Sequence, residues 1–168
     1  MVALLQSGLR GIQLLFVVIT LALVGNVVDE AFAGNSSSIN FALAVSIIEL
    51  FVCLYALATL FVESLAFGKV MSIVDIFSSI FIFIAGTVLA AKLGVHSCGN
   101  QSYIYGNPLT NGSHNPSKRC HELQAATAFY WFAFPLFVAS AALGFMGSGG
   151  SFSARGGIRR GGPSMSQV

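Results

Sequence analysis

The chain has 168 residues, of which 55% are hydrophobic and only 8% charged, with a formal net charge of +2. Soluble domains carry roughly a quarter charged residues, so eight Lys or Arg and six Asp or Glu cannot supply a water-soluble coat. Ordinary cytosolic enzymes are excluded, nucleic-acid binding has no basic stripe to rest on, and a small integral membrane protein remains.

Four apolar runs follow in chain order, at 11–28, 39–62, 70–95 and 123–146. Each is long enough to cross ~30 Å of hydrocarbon at ~1.5 Å per residue. Strands would need an apolar/polar alternation that is absent, and a helix satisfies its own backbone hydrogen bonds in lipid. The expectation is an all-α membrane protein, a four-transmembrane-helix bundle over 1–146. Arg10, the first run and Ala31-Phe32-Ala33 resemble a secretory signal with a small-residue cleavage site. The run is longer than the usual signal core, so a retained helix is the reading adopted.

Between the third and fourth spans lies a polar loop, 96–122, rich in Asn, Ser and Gly. The segment 147–168 is rich in Gly, Ser and Arg and predicts a disordered tail. Arg10, Lys69, Arg155, Arg159 and Arg160 all fall on one side of a four-span topology. By the positive-inside bias, both termini are expected to be cytoplasmic. All three N-x-S sequons, at Asn35, Asn100 and Asn111, then lie outside, as do Cys98 and Cys120. Asn111 is the preferred acceptor, because Asn35 and Asn100 sit close to the bilayer.

Cys98 and Cys120 bound a segment with no core of its own. Oxidising surroundings favour a disulfide there, removing about 3 kcal/mol of unfolded-loop entropy in the chain-entropy model. The rival is a zinc site from His96, Cys98, Cys120 and His121. The adjacent Cys120-His121 pair lacks the usual ligand spacing, so no metal and no other cofactor is expected. His114 belongs to the same loop and reads as solvated. Cys53 reads as a small apolar filler.

Charges inside spans are functional suspects. Glu49 lies near mid-bilayer, while Asp75, Glu63 and Arg10 share a depth near the inner interface. They read as an interhelical ionic cluster or, with Glu49 and Asp75 in line, as a proton or cation path. Polar residues at further depths are few, which favours structural pairing. Gly86, Ala90 and Gly94 recur every four residues and would form a flat helix-packing face, used within the chain or in self-association; Ser140 and Gly144 repeat the pattern in the fourth span. No catalytic constellation is present in the sequence, so no enzyme is expected.

The stretch FIFIAGTVLA at 81–90, His96-Ser97-Cys98, Arg119-Cys120, QAATA at 124–128, Ser151-Phe152-Ser153 and the terminal Ser166-Gln167-Val168 resemble the fungal non-classical export protein family. That family belongs to the MARVEL-domain tetraspan group. The resemblance implies a MARVEL-like bundle resident in the plasma membrane, in furrow-like, eisosome-supported domains. It implies roles in organising those domains, in responding to sphingolipids and in leaderless export. Implied partners are membrane lipids (sphingolipid or sterol), peripheral cytoplasmic scaffold proteins and a second copy of the chain. The alternative is a small ion or proton channel or transporter using Glu49 and Asp75.

Overall fold

The computed structural model describes residues 2–32, 34–62, 68–94 and 96–150. Glu63 and the tail residues Arg155, Arg159 and Arg160 lie outside the described residues. The elements are α1 (Val2–Asp29), α2 (Ser37–Phe61), α3 (Gly68–Leu93), a short α4 (Gln101–Gly106) and α5 (Pro116–Gly150). Among the described residues four helices are long and apolar enough to span a bilayer: α1, α2, α3 and α5.

The helices outrun the apolar segments that announce them. Hydropathy marks the part of a helix that crosses hydrocarbon, whereas capping decides where the backbone starts and stops. α1 begins at Val2, so Arg10 sits inside it. α5 begins at Pro116, within the segment expected to be loop. There Asn115 accepts the Lys118 backbone N–H through Oδ1 (3.1 Å), and Pro116 occupies a first-turn position where its missing N–H is not needed. Residues 147–150 continue α5 rather than opening the tail. Part of the expected loop is likewise helical: Asn100 caps α4 by accepting from the Tyr103 N–H.

The four long helices pack in a ring, α1 against α2, α2 against α3, α3 against α5 and α5 against α1. α1 and α3 therefore face each other across one diagonal, and α2 and α5 across the other. The α3–α5 seam is the most extensive and the α2–α3 seam the thinnest. Val17, Val24, Val45, Ile82, Leu89 and Phe137 fill the interior. Large apolar side chains also cover the outside: Phe51 is 66% exposed, Phe77 57% and Phe132 59%. In water such a wall would be a liability; in lipid it is the solvent-facing surface.

Small residues set the α3–α5 distance. A Cβ on Gly86 would stand 3.1 Å from the Tyr130 Cβ and 3.4 Å from the Trp131 ring. A Cβ on Gly144 would overlap the Ser72 hydroxyl. Without a hydrophobic drive between helices in lipid, this close contact is itself the attraction. The expected packing face does not continue to Gly94. That residue has φ +61, follows the last residue of α3, and donates its N–H to the Ala90 carbonyl at 2.9 Å. It is a helix-terminating glycine in the left-handed region, not a packing glycine. Ala90 is half-buried.

Replacing Gly86 by Leu is expected to lower stability in detergent by about 1–3 kcal/mol, because the close-packed seam cannot take the added volume. Phe132→Leu, on the lipid face, is expected to leave the melting temperature nearly unchanged. Thermal unfolding followed by circular dichroism compares the two.

Candidate functional site

The membrane interior of the bundle carries three polar layers. The innermost is ionic. Arg10 of α1 reaches across the diagonal to Asp75 of α3, with Nη1 to Oδ1 and Nη2 to Oδ2 both at 2.6 Å. The two side chains are 4% and 1% exposed. A planar guanidinium matches a carboxylate in this two-pronged way, which fixes orientation as well as charge. Arg10 Nη1 also donates to Gln13 Oε1 (3.1 Å), and Gln13 Nε2 donates to the Leu136 carbonyl and to Ser140 Oγ, both at 2.9 Å. One cluster therefore ties α1 to α3 and α5. The Gln13 contact falls one residue past Pro135, which lacks a backbone N–H.

The middle layer is Glu49 of α2, 1% exposed, with Ser78 of α3 as its hydrogen-bond partner. Its Oε2 has no partner among the described residues. In the layer nearest the cap Tyr130 of α5 crosses the second diagonal to α2. Its hydroxyl donates to the Ala42 carbonyl (2.7 Å) and shares a hydrogen bond with Ser46 Oγ (2.6 Å). With the Tyr130 proton on Ala42, Ser46 donates to the Tyr130 oxygen, and its own oxygen lies 3.4 Å from Thr20 Oγ1 of α1. Thr20 itself donates back to the Val17 carbonyl, so the hydroxyl is satisfied within its own helix.

Above the bundle, loops and helix ends form a cap around Arg119, which is 1% exposed. Its guanidinium donates to the Leu109 carbonyl (2.8 Å), the Val27 carbonyl (2.5 Å) and Asn35 Oδ1 (2.7 Å). One side chain thus fastens the α4–α5 loop, the end of α1 and the α1–α2 loop to α5. The Cys98–Cys120 disulfide, with Cα atoms 5.7 Å apart, pins the chain after α3 to the same turn of α5. Both sulfurs are engaged with each other, so they do not serve the metal set considered above. Ala31 pairs with Ser113 as an isolated bridge, and the Phe32 N–H donates to the Gly112 carbonyl at 3.1 Å. Tyr103 donates its hydroxyl to the Leu93 carbonyl, and burial holds that phenol above its ordinary range. At the rim Lys118 pairs with Glu30 and Asn26 donates to Glu122 (2.6 Å).

The hydrogen bond from Lys118, against a smaller effect of burial, holds the Glu30 carboxyl below its ordinary value of 4.5. A depressed carboxylate contributes stability above its unfolded value, and that contribution is lost as pH falls through the folded value.

The structure thus joins Arg10 with Asp75 and Cys98 with Cys120, and sets Gly86 against α5. Glu49 belongs to a separate layer with Ser78. Gln13, Ser46, Ser78, Tyr130 and Arg119 were not expected. Gln13 carried a signal, an amide one helical turn beyond Arg10 in an otherwise apolar run. Arg119 lies in the segment 96–122 read as polar loop, and nothing in its neighbours announces its three acceptors.

Four apolar helices around an apolar interior crossed by buried polar ties define a four-span membrane protein of the tetraspan kind. The chain matches the MARVEL family, described as a membrane-associating domain, over residues 2–143, and it belongs to that family. It is similar to Non-classical export protein 2 of Saccharomyces cerevisiae, 36% identical with all of both chains covered. It is also similar to Non-classical export protein 102 of Candida albicans, 35% identical over 95% of each chain. A third relative, Non-classical export protein 2 homolog of Schizosaccharomyces pombe, is 35% identical over 78% of this chain and 71% of its own. No solved structure matches.

Removing Asp75 alone, as Asp75→Leu, strands the Arg10 charge and is expected to cost about 3–5 kcal/mol. Tyr130→Phe removes only a neutral crossing and is expected to cost about 1 kcal/mol. Chemical unfolding in matched micelles ranks the two. Glu30→Gln is expected to lower stability slightly at neutral pH and to leave it unchanged in acid, so part of the acid-side loss disappears, read from melting temperature against pH.

Proposed function

We propose that this chain is a non-enzymatic organiser of plasma-membrane domains, multi-pass with both termini cytoplasmic. Its setting is the furrow-like, eisosome-associated lipid domain, where it responds to sphingolipids and is linked to unconventional protein export. The observation that carries the reading is the division of the bundle. Its buried polar side chains bond one another at separate depths, while its large apolar side chains face the bilayer. Such a body acts laterally, through the lipids and helices it accepts as neighbours. The names of the relatives support the link to export, and the family description supports membrane association. Sphingolipid or sterol lipids, peripheral cytoplasmic scaffold proteins and a second copy of the chain are the partners this role needs.

Orientation rests on Lys and Arg. The loop 96–122, outside in this topology, also carries Lys118 and Arg119; Arg119 is buried on carbonyls and Lys118 is paired with Glu30, so neither is a free cation opposing the inside bias.

One observation favours a second reading, a small channel or transporter: the unpartnered Oε2 of buried Glu49. Liposome flux separates the two. The organiser reading expects no proton or cation flux that depends on Glu49; flux abolished by Glu49→Gln would favour conduction.

The direct test is the lateral distribution of a tagged copy in living cells. Patches that disperse on sphingolipid depletion are expected. A uniform distribution before and after depletion would contradict the proposal.

A further inference from the structure

We propose that Asn111 carries an N-linked glycan and that Asn35, which lies close to the bilayer and whose amide the folded cap uses, does not. The inference rests on the topology proposed above, which puts both loops outside. Three sequons compete: Asn35-Ser36-Ser37, Asn100-Gln101-Ser102 and Asn111-Gly112-Ser113. Composition cannot rank them, but the fates of their three side chains can.

The Asn35 amide is a structural bolt. Its Oδ1 accepts from buried Arg119 at 2.7 Å, and its Nδ2 donates to the Val28 carbonyl at 3.4 Å. A sugar on Nδ2 would replace one amide hydrogen and drive a bulky polar body into the joint between α1, α5 and the α1–α2 loop. Oδ1 would remain an acceptor, but the sugar would crowd its contact with the Arg119 guanidinium at this half-buried joint. Asn35 also lies two residues before α2 begins, close to the bilayer.

Asn100 is exposed, but its Oδ1 caps α4, and the disulfide at Cys98 holds it beside the end of α3. A membrane-bound transferase has least room there. Asn111 differs from both. Its side chain is exposed and makes no hydrogen bond among the described residues. Its backbone is held firmly, with its N–H on the Asn107 carbonyl at 2.9 Å and the next carbonyl, of Gly112, accepting from Phe32. A glycan on Nδ2 therefore projects outward without breaking a contact.

Ser113, the third residue of this sequon, is 4% exposed, and its hydroxyl has no partner among the described residues. The transfer needs that hydroxyl, so it precedes docking of this loop onto Ala31. The donor is a polyprenyl diphosphate-linked oligosaccharide. The bond from the anomeric carbon to the diphosphate oxygen breaks, and a bond from that carbon to Nδ2 forms. Nδ2 gives one proton to the transferase base, and the lipid diphosphate leaves.

The test uses the full chain expressed in fungal cells, with and without peptide N-glycosidase treatment. One mobility shift is expected in the wild type. It should be lost in Asn111→Gln and retained in Asn35→Gln and Asn100→Gln. A shift that survives Asn111→Gln would overturn the assignment. So would a wild type that carries no shift, and an impermeant maleimide on an Asn111→Cys variant then separates the causes. Labelling from outside intact spheroplasts would leave the topology standing and refute the glycan alone. Labelling only after permeabilisation would refute both.

Discussion

The Arg10–Asp75 pair is the constraint on which the rest of the bundle depends. Neither charge is tolerable alone in hydrocarbon, so α1 and α3 must meet at one depth and one rotation. The pair bridges a diagonal, and a diagonal tie fixes the cross-section of a four-helix ring in a way that contacts between neighbours do not. Gln13 carries the same cluster to Leu136 and Ser140 of α5. Once α1, α3 and α5 are placed, Gly86 and Gly144 let α3 and α5 close to contact distance. α2 is held by weaker means, through Ser46 and Tyr130 across the other diagonal and through Glu49 and Ser78 along the thinnest seam. Neutral hydrogen bonds between membrane helices average about 0.6 kcal/mol, well below the cost of stranding an ion. The ionic crossbar therefore sets register, and the neutral one trims it.

The cap over the bundle repeats the logic with a different chemistry. The segment expected to lack a core builds only a small one, Cys98, Ile104 and Cys120 with Tyr103 against them, so polar ties carry much of the cap. A buried guanidinium collects carbonyls from three segments, and a disulfide closes the remaining end. The caps at Asn100 and Asn115 turn what remains into helix. The result is a rigid lid over the bundle from which Asn111 alone among the sequon asparagines extends a side chain free of hydrogen bonds.

Much of this was legible in the sequence because membrane insertion leaves few options. Four apolar runs with no alternation dictate four helices. The shared depth of Arg10, Asp75 and Glu63 suggested one ionic cluster; the structure joins Arg10 to Asp75, and Glu63 lies outside the described residues. What hydropathy missed were ends and crossings. The Asn115-Pro116 start of α5 was present as a capping signal but lay in a polar stretch that hydropathy scores as loop. Gly94 kept the four-residue spacing of Gly86 and Ala90, yet spacing does not distinguish a packing glycine from one with φ +61 that ends the helix. Tyr130 and Ser46 meet only because α2 and α5 oppose each other across the ring, and nothing local to either residue encodes that. Arg119 was hidden for the same reason, its three acceptors being distant in sequence.

These crossbars also bear on function. A bundle tied together by its own polar groups turns its large apolar side chains to the bilayer, which is the surface the proposed organiser role would use. The most direct measurement is a charge exchange at the diagonal. Arg10→Asp with Asp75→Arg, unfolded in nanodiscs beside each single change, reports whether the pair itself holds the bundle. The expected result is recovery of most of the stability that either single change removes. A double variant as unstable as the sum of the two would contradict the central claim, because the residues would then matter separately and not as a bridge.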